Sequence, residues 1–178
     1  MTPHIINPKQ AKEFHLNLKR ACDNHHPSYY PKFKEWADDY FYLPHRKETR
    51  GVGGIFFDRL SNEKGFDKQH RWDFVREVGQ TFCKIYIPFL SENKSKATSE
   101  KDNQWQMLRR GRYTEFNLVW DRGTKFGLHT NGRTESILMS LPPVAHWEYN
   151  ADLAKEAPYS FTQENLKKGI DWINWSAV

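Results

Sequence analysis

Apolar residues recur along this chain in two rhythms, one of three to four residues and one of two. Behind the pair Asn7-Pro8, Ala11, Phe14, Leu18 and Ala21 fall on one helical face. An asparagine cap followed by proline in the first turn predicts a helix starting there. His15 lies beside that stripe. After a polar break from Asp23 to Ser28, Pro31 opens a second predicted helix with Phe33, Trp36, Ala37, Tyr40 and Phe41 along it. Pro44 ends it, because the residue before a proline avoids the helical region. The longest stripe, Trp72, Val75, Val78, Phe82, Ile85 and Phe89, predicts a helix from about Lys68 to Phe89.

The two-residue rhythm predicts strands. Gly51 to Phe57 reads as a glycine-softened entry into a buried strand ending near Asp58. Its glycines precede the strand and no Gly-Lys-Ser/Thr follows, so it is not a phosphate loop. Arg112 to Asp121 alternates, with Phe116, Leu118 and Trp120 facing a core and Glu115, Asn117 and Val119 facing a cleft. Asp121-Arg122-Gly123-Thr124 then suits a hairpin turn into a second strand, Lys125 to Thr130. Between the two rhythms, Ser91 to Gln104 is polar and aperiodic, either a solvated loop or the frayed start of a helix running to Arg110. Thr134-Glu135 opens a short helix through Met139, or a buried strand, stopped by Pro142-Pro143. A last amphipathic helix is expected over Thr162 to Trp172, and no internal repeat is visible.

A length of 178 residues fits one domain, residues 1–178, able to bury roughly 70% of its unfolded surface without staples. The 7 Trp, 8 Tyr and 12 Phe make the chain globular in spite of 28% charged residues. Cys22 and Cys83 stand at no metal-like or redox spacing, and the N-terminus has no basic segment followed by an apolar run. Reduced thiols and a cytoplasmic location are the expectation. No apolar run approaches the ~20 residues a membrane span needs. A net charge of +5 suits an anionic partner: nucleic acid, a membrane surface or a polycarboxylate. The 27 Lys and Arg are dispersed among 22 acidic residues rather than gathered in a stripe, which argues against nucleic acid.

No GxSxG, HExxH, CxxC or calcium-loop pattern is present, so any chemistry comes from dispersed residues. The segment Gln104 to Tyr149, QWQMLRRGRYTEFNLVWDRGTKFGLHTNGRTESILMSLPPVAHWEY, is the exception to a generic core pattern. An arginine pair, an Asp-Arg-Gly turn, a Gly-Arg loop and a Pro-Pro stop follow one another in it. In that order it resembles the oxygen-dependent coproporphyrinogen III oxidases.

The resemblance runs from Thr2-Pro3 to Asp171-Trp172-Ile173 and implies an α+β fold, an antiparallel β-sheet flanked by helices on both faces. It covers the C-terminal part of that fold, so the N-terminal strands, and with them the family's proton-donor histidine, are expected to be missing. It implies coproporphyrinogen III as substrate and molecular oxygen as co-substrate. Asn131, Gly132 and Arg133 fall on the family's substrate loop. An arginine fork suits a carboxylate, glycine lets the backbone approach, and amides at a helix start favour an anion. A merely solvated loop arginine is the plainer alternative. His15 and His45 fall on two metal-ligand positions, implying a divalent cation on an incomplete site, since three or four ligands are usual. A homodimer through Tyr113 to Glu148 is also implied.

Arg46, Arg50 and Arg122 stand in further family-like stretches as added positive potential or as surface ion pairs. Asp58 matches the first of a paired aspartate whose second is Arg59 here, a structural turn. Two functional expectations result. One is oxidative decarboxylation in haem synthesis; the other is a truncated or split member that binds tetrapyrrole or pairs with another chain without activity of its own.

Overall fold

In the computed structural model of the chain, the described residues are 1–60 and 67–176. The expected antiparallel sheet flanked by helices is not found. The described residues are mostly helical and hold one sheet of two short strands, β1 (Tyr42–Leu43) and β2 (Glu48–Thr49), paired antiparallel.

Helix α1 (Pro8–Asp23) starts where the sequence says. The Asn7 side chain accepts from the backbone N–H groups of Lys9 and Gln10, satisfying two donors that the first turn leaves unpaired. Helix α2 (Tyr29–Tyr40) begins two residues before Pro31, so Tyr29 and Tyr30 join Phe33 on the buried face. Helix α3 (Lys68–Asn93) is capped by Asp67, which accepts from the His70 N–H at 2.8 Å.

These three helices share one core. Phe14, Leu18 and Cys22 of α1 meet Tyr29, Tyr30 and Phe33 of α2 and Phe74, Ile85 and Phe89 of α3. Each such ring or branched chain contributes about 1.5–3 kcal/mol by leaving water. The stripe predicted for α3 is only half right: Phe74 is fully buried, whereas Trp72, Val75 and Phe82 face outward.

Gly51 to Phe57 forms no strand. It is an extended crossing whose Phe56 N–H donates to the carbonyl of Phe33, within α2, rather than to a neighbouring strand. Gly53 (φ 76°) and Gly54 (φ 150°) take conformations that side chains resist.

The polar stretch divides: Ser91 to Asn93 end α3, Lys94 to Ser99 form a loop, and helix α4 (Glu100–Glu115) starts within it. Ser99 and Asp102 form a reciprocal capping box, and Asp102 also accepts from the Tyr159 hydroxyl at 2.8 Å. From there the expectation of two strands and a hairpin fails. Phe116–Trp120 continues α4 as a single π-helical turn, and Asp121 is the cap of a new helix, α5 (Arg122–His129). Its carboxylate accepts from both the N–H and the hydroxyl of Thr124, at 2.7 and 2.8 Å. A strand requires a partner ladder, and among the described residues none is offered to this segment.

Helix α6 (Thr134–Ile137) is short, as expected. The last helix is misplaced: α7 spans Tyr159–Glu164, and Gly169 (φ 75°) turns the chain beyond it. Leu166 and Trp172 then bury against Ile6, Ala11 and Val52 in a second small core.

Candidate functional site

The loop between α5 and α6 is built by close backbone approach. Asn131 sits at φ 55°, a conformation asparagine tolerates better than most residues. The Gly132 N–H donates to the Gly127 carbonyl at 2.9 Å, and a Cβ on Gly132 would stand 3.0 Å from both that oxygen and the Ile137 side chain. Gly132 is therefore required for the turn. Its effect is to present Arg133, whose carbonyl accepts from the Ser136 and Ile137 N–H groups while its side chain stands 81% exposed. The nearest carboxylate, Glu135, is 4.0 Å away and equally exposed. Since α6 has only four residues, its terminal amides add little, and the free guanidinium is what the loop offers an anion.

A denser cluster lies where α4 meets the β1–β2 turn. Arg46 places two nitrogens on Glu115, at 3.0 and 2.5 Å, and His45 Nε2 and Trp147 Nε1 reach the same carboxylate at 3.1 and 2.9 Å. Burial opposes the Glu115 charge, but the Arg46 and His45 hydrogen bonds and the nearby Arg112 outweigh it and hold the carboxyl at about 2. Deeper, Arg109 and Glu48 pair at 2.9 Å, each 5% exposed, and Gln163 donates to Glu48 at 2.6 Å. Gly111 lets the His146 carbonyl lie against α4, where a Cβ would collide with it, and so brings Trp147 to the cluster. Glu48 and Trp147 are not among the expected site residues, and Glu115, expected on a cleft-facing strand, ends a helix instead. The available signal was Arg112 and Glu115 at helical spacing, which the strand reading of that segment concealed.

The two histidines are not brought together. His15 is fully buried, with Nε2 at 2.8 Å from the Val52 carbonyl and Nδ1 at 2.9 Å from the Tyr30 hydroxyl. A carbonyl can only accept, so Nε2 carries the proton and Nδ1 takes the tyrosine's. Burial pushes its pKa down to about 4. With both nitrogens engaged, His15 has no lone pair for a metal. His45 stands on the exposed turn, with Nδ1 accepting from Trp120 Nε1 at 3.1 Å. The pair does not fit a divalent cation, and among the described residues no group of three His, Cys, Asp or Glu side chains does.

The remaining arginines separate. Arg46 belongs to the Glu115 cluster, and the exposed Arg122 lies over the Tyr40 ring at 5.7 Å. Arg50 is partly buried, its guanidinium 4.3 Å from the Phe41 ring centre and 5.1 Å from those of Tyr113 and Phe116.

The described residues thus form a mostly helical protein with an arginine held out on a glycine-tightened loop. The sequence profile of the family described as coproporphyrinogen III oxidase matches residues 1–172, and the chain belongs to that family. It is 45% identical over 174 residues to the oxygen-dependent coproporphyrinogen-III oxidase of Drosophila melanogaster, covering 97% of this chain and 44% of that protein. It is 46% identical over 175 residues to the mitochondrial oxygen-dependent coproporphyrinogen-III oxidase of Rattus norvegicus, covering 98% of this chain and 39% of that one. The chain thus spans about two-fifths of the length of the curated relatives it matches. No described helix is long and apolar enough to cross a membrane.

Proposed function

We propose that this chain serves the oxygen-dependent decarboxylation of coproporphyrinogen III to protoporphyrinogen IX, and that its part is to hold substrate carboxylates at Asn131, Gly132 and Arg133. In that reaction two propionate arms each release CO₂ and a hydrogen and become vinyl groups, with two electrons per arm passing to O₂. The observation carrying the reading is the Arg133 guanidinium, exposed and with its nearest carboxylate 4.0 Å away, on a loop whose turn needs Gly132. The histidine pair is given no role, because His15 is already hydrogen-bonded at both nitrogens. Assay of the purified chain with coproporphyrinogen III under air, followed by porphyrin fluorescence, tests the reading. Product above background that falls at least tenfold in Arg133→Ala supports it, and product indifferent to that substitution refutes it.

A second reading, a split or truncated member that needs a companion chain, is favoured by the outward apolar side chains. Turnover that appears only on adding the remaining portion of a family member selects it. A homodimer through Tyr113 to Glu148 fits the same region, where Trp120, Phe126, Met139 and Trp147 stand 40%, 70%, 81% and 52% exposed. A cytoplasmic location rests on Cys22 and Cys83 being unpaired, while the rat relative is named mitochondrial.

A further inference from the structure

A cavity of about 600 Å³ lies between α2 and the chain segment 168–174. Its volume is within the range of small-molecule sites. Tyr30, Pro31, Ile170 and Ile173 give it apolar walls, and charges of both signs stand among them. Several of those charges are already engaged. Lys168 donates to Asp39 at 2.7 Å, Lys19 pairs with Asp23, and Asp38 accepts from Lys34 Nζ at 2.6 Å and from the Gly169 N–H at 2.9 Å.

Two groups, one on each side, keep unused capacity. On α2, Lys34 is 14% exposed, and among the described residues its ammonium, with three donors, has Asp38 as its one acceptor. On the other side, the Asp171 carboxylate is fixed by its own turn: it accepts from the Ile173 and Asn174 N–H groups, each at 3.1 Å, and from Asn174 Nδ2 at 2.7 Å. Among the described residues no cation comes within ion-pair distance of it, although Lys34 is near enough for its charge to be felt. Exposed Glu35 also lines the cavity and has no ion-pair partner among the described residues. A cation and an anion thus stand on two sides of an apolar gap, each held by its neighbours, and neither closes on the other.

We propose that this cavity binds a zwitterionic α-amino acid with a branched apolar side chain, its carboxylate on Lys34, its ammonium on Asp171 and its side chain against Ile170 and Ile173. A ligand carrying both charges makes a charge-assisted hydrogen bond at each end, whereas a ligand carrying one charge is opposed by the like charge at the other end. None of Asn131, Gly132 and Arg133 lines the cavity, so the site does not depend on the function assigned to the Arg133 loop.

Titration calorimetry of the 178-residue chain tests this with three probes: L-leucine, L-leucinamide, which lacks the carboxylate, and 4-methylpentanoate, which lacks the ammonium. Leucine is expected to bind saturably and at least tenfold more tightly than either analogue. Asp171→Asn keeps an acceptor for the turn and removes the charge, so it should erase leucine's advantage over 4-methylpentanoate. Should Asp171→Asn not fold, Glu35→Lys decides: the position is exposed, so Tm holds, while the reversed charge cuts that advantage at least fivefold. Arg133→Ala leaves leucine's affinity within twofold. No saturable binding of leucine, equal affinity for leucine and either analogue, an advantage unchanged in folded Asp171→Asn or in Glu35→Lys, or loss on Arg133→Ala each overturns the proposal.

Discussion

The three-helix core and the stretch from Phe116 to Asn150 draw on similar residues and use them in opposite ways. In the core, Tyr29, Phe33 and Phe74 pack with ring centres 4.8–5.9 Å apart, and even the polar His15 is fully enclosed. Between Phe116 and Asn150 the buried side chains are Phe116, Asn117 and Thr124, while Phe126 and Tyr149 stand 70% and 96% exposed. The first region is finished by its own contacts. The second keeps apolar surface and a free arginine outside, as a region does when its completing contacts come from a ligand or another chain.

That contrast is strongest at charges. Glu48→Ala leaves Arg109 buried and unpaired, and should lower stability by about 3–5 kcal/mol in denaturant unfolding, whereas Glu48→Gln, which keeps a hydrogen-bond acceptor, costs less. An unfolding free energy unchanged by Glu48→Ala would show that the buried Arg109–Glu48 pair between β2 and α4 does not hold the fold.

Acid should act next. His15 is about 4 when folded against an ordinary 6.5, so between those values the unfolded chain binds a proton the folded chain refuses. Stability is therefore full above about pH 6.5 and falls as pH drops towards 4, by about 3 kcal/mol from this group. His4, lowered to about 4 by burial and by Arg110 and Arg109, pushes the same way. Glu115, held at about 2, adds a further loss below about 4.5. Stability measured across pH 7 to 4 in His15→Phe should show a shallower slope than the parent; an identical slope would remove His15 from the account.

In the second region, Phe126→Ser with Met139→Ser should weaken self-association at least tenfold in analytical ultracentrifugation, since it removes two of the most exposed apolar groups. A parent chain that sediments as a monomer at all concentrations would break the comparison there. The smallest expected effect is on stability in Arg133→Ala, within about 0.5 kcal/mol by thermal unfolding, because the side chain touches little.

How much of this the sequence disclosed depended on whether a signal was local. The start of α1 was legible because Asn7-Pro8 is a complete instruction, and α2 and α3 because their stripes are long. The helices of residues 112–130 were not. Phe116, Leu118 and Trp120 alternate like a strand, but the π-helical turn buries Phe116 and leaves Leu118 and Trp120 outside. Asp121-Arg122-Gly123-Thr124 carries the residues of a hairpin turn and of a helix cap alike, and only the absence of a partner ladder among the described residues decides between them. The Asn131-Gly132-Arg133 loop was visible in the sequence, as was the family. That His15 is a hydrogen-bonded core residue was not, because its partners Tyr30 and Val52 are 15 and 37 residues away.

The two cysteines acquire a practical difference from their places in the fold. Cys22 is fully enclosed on α1, and burial pushes its thiol up to about 12, so almost none of it is thiolate at neutral pH. Cys83 lies open on α3. A maleimide dye added to the folded chain therefore labels one position on α3 without any engineering.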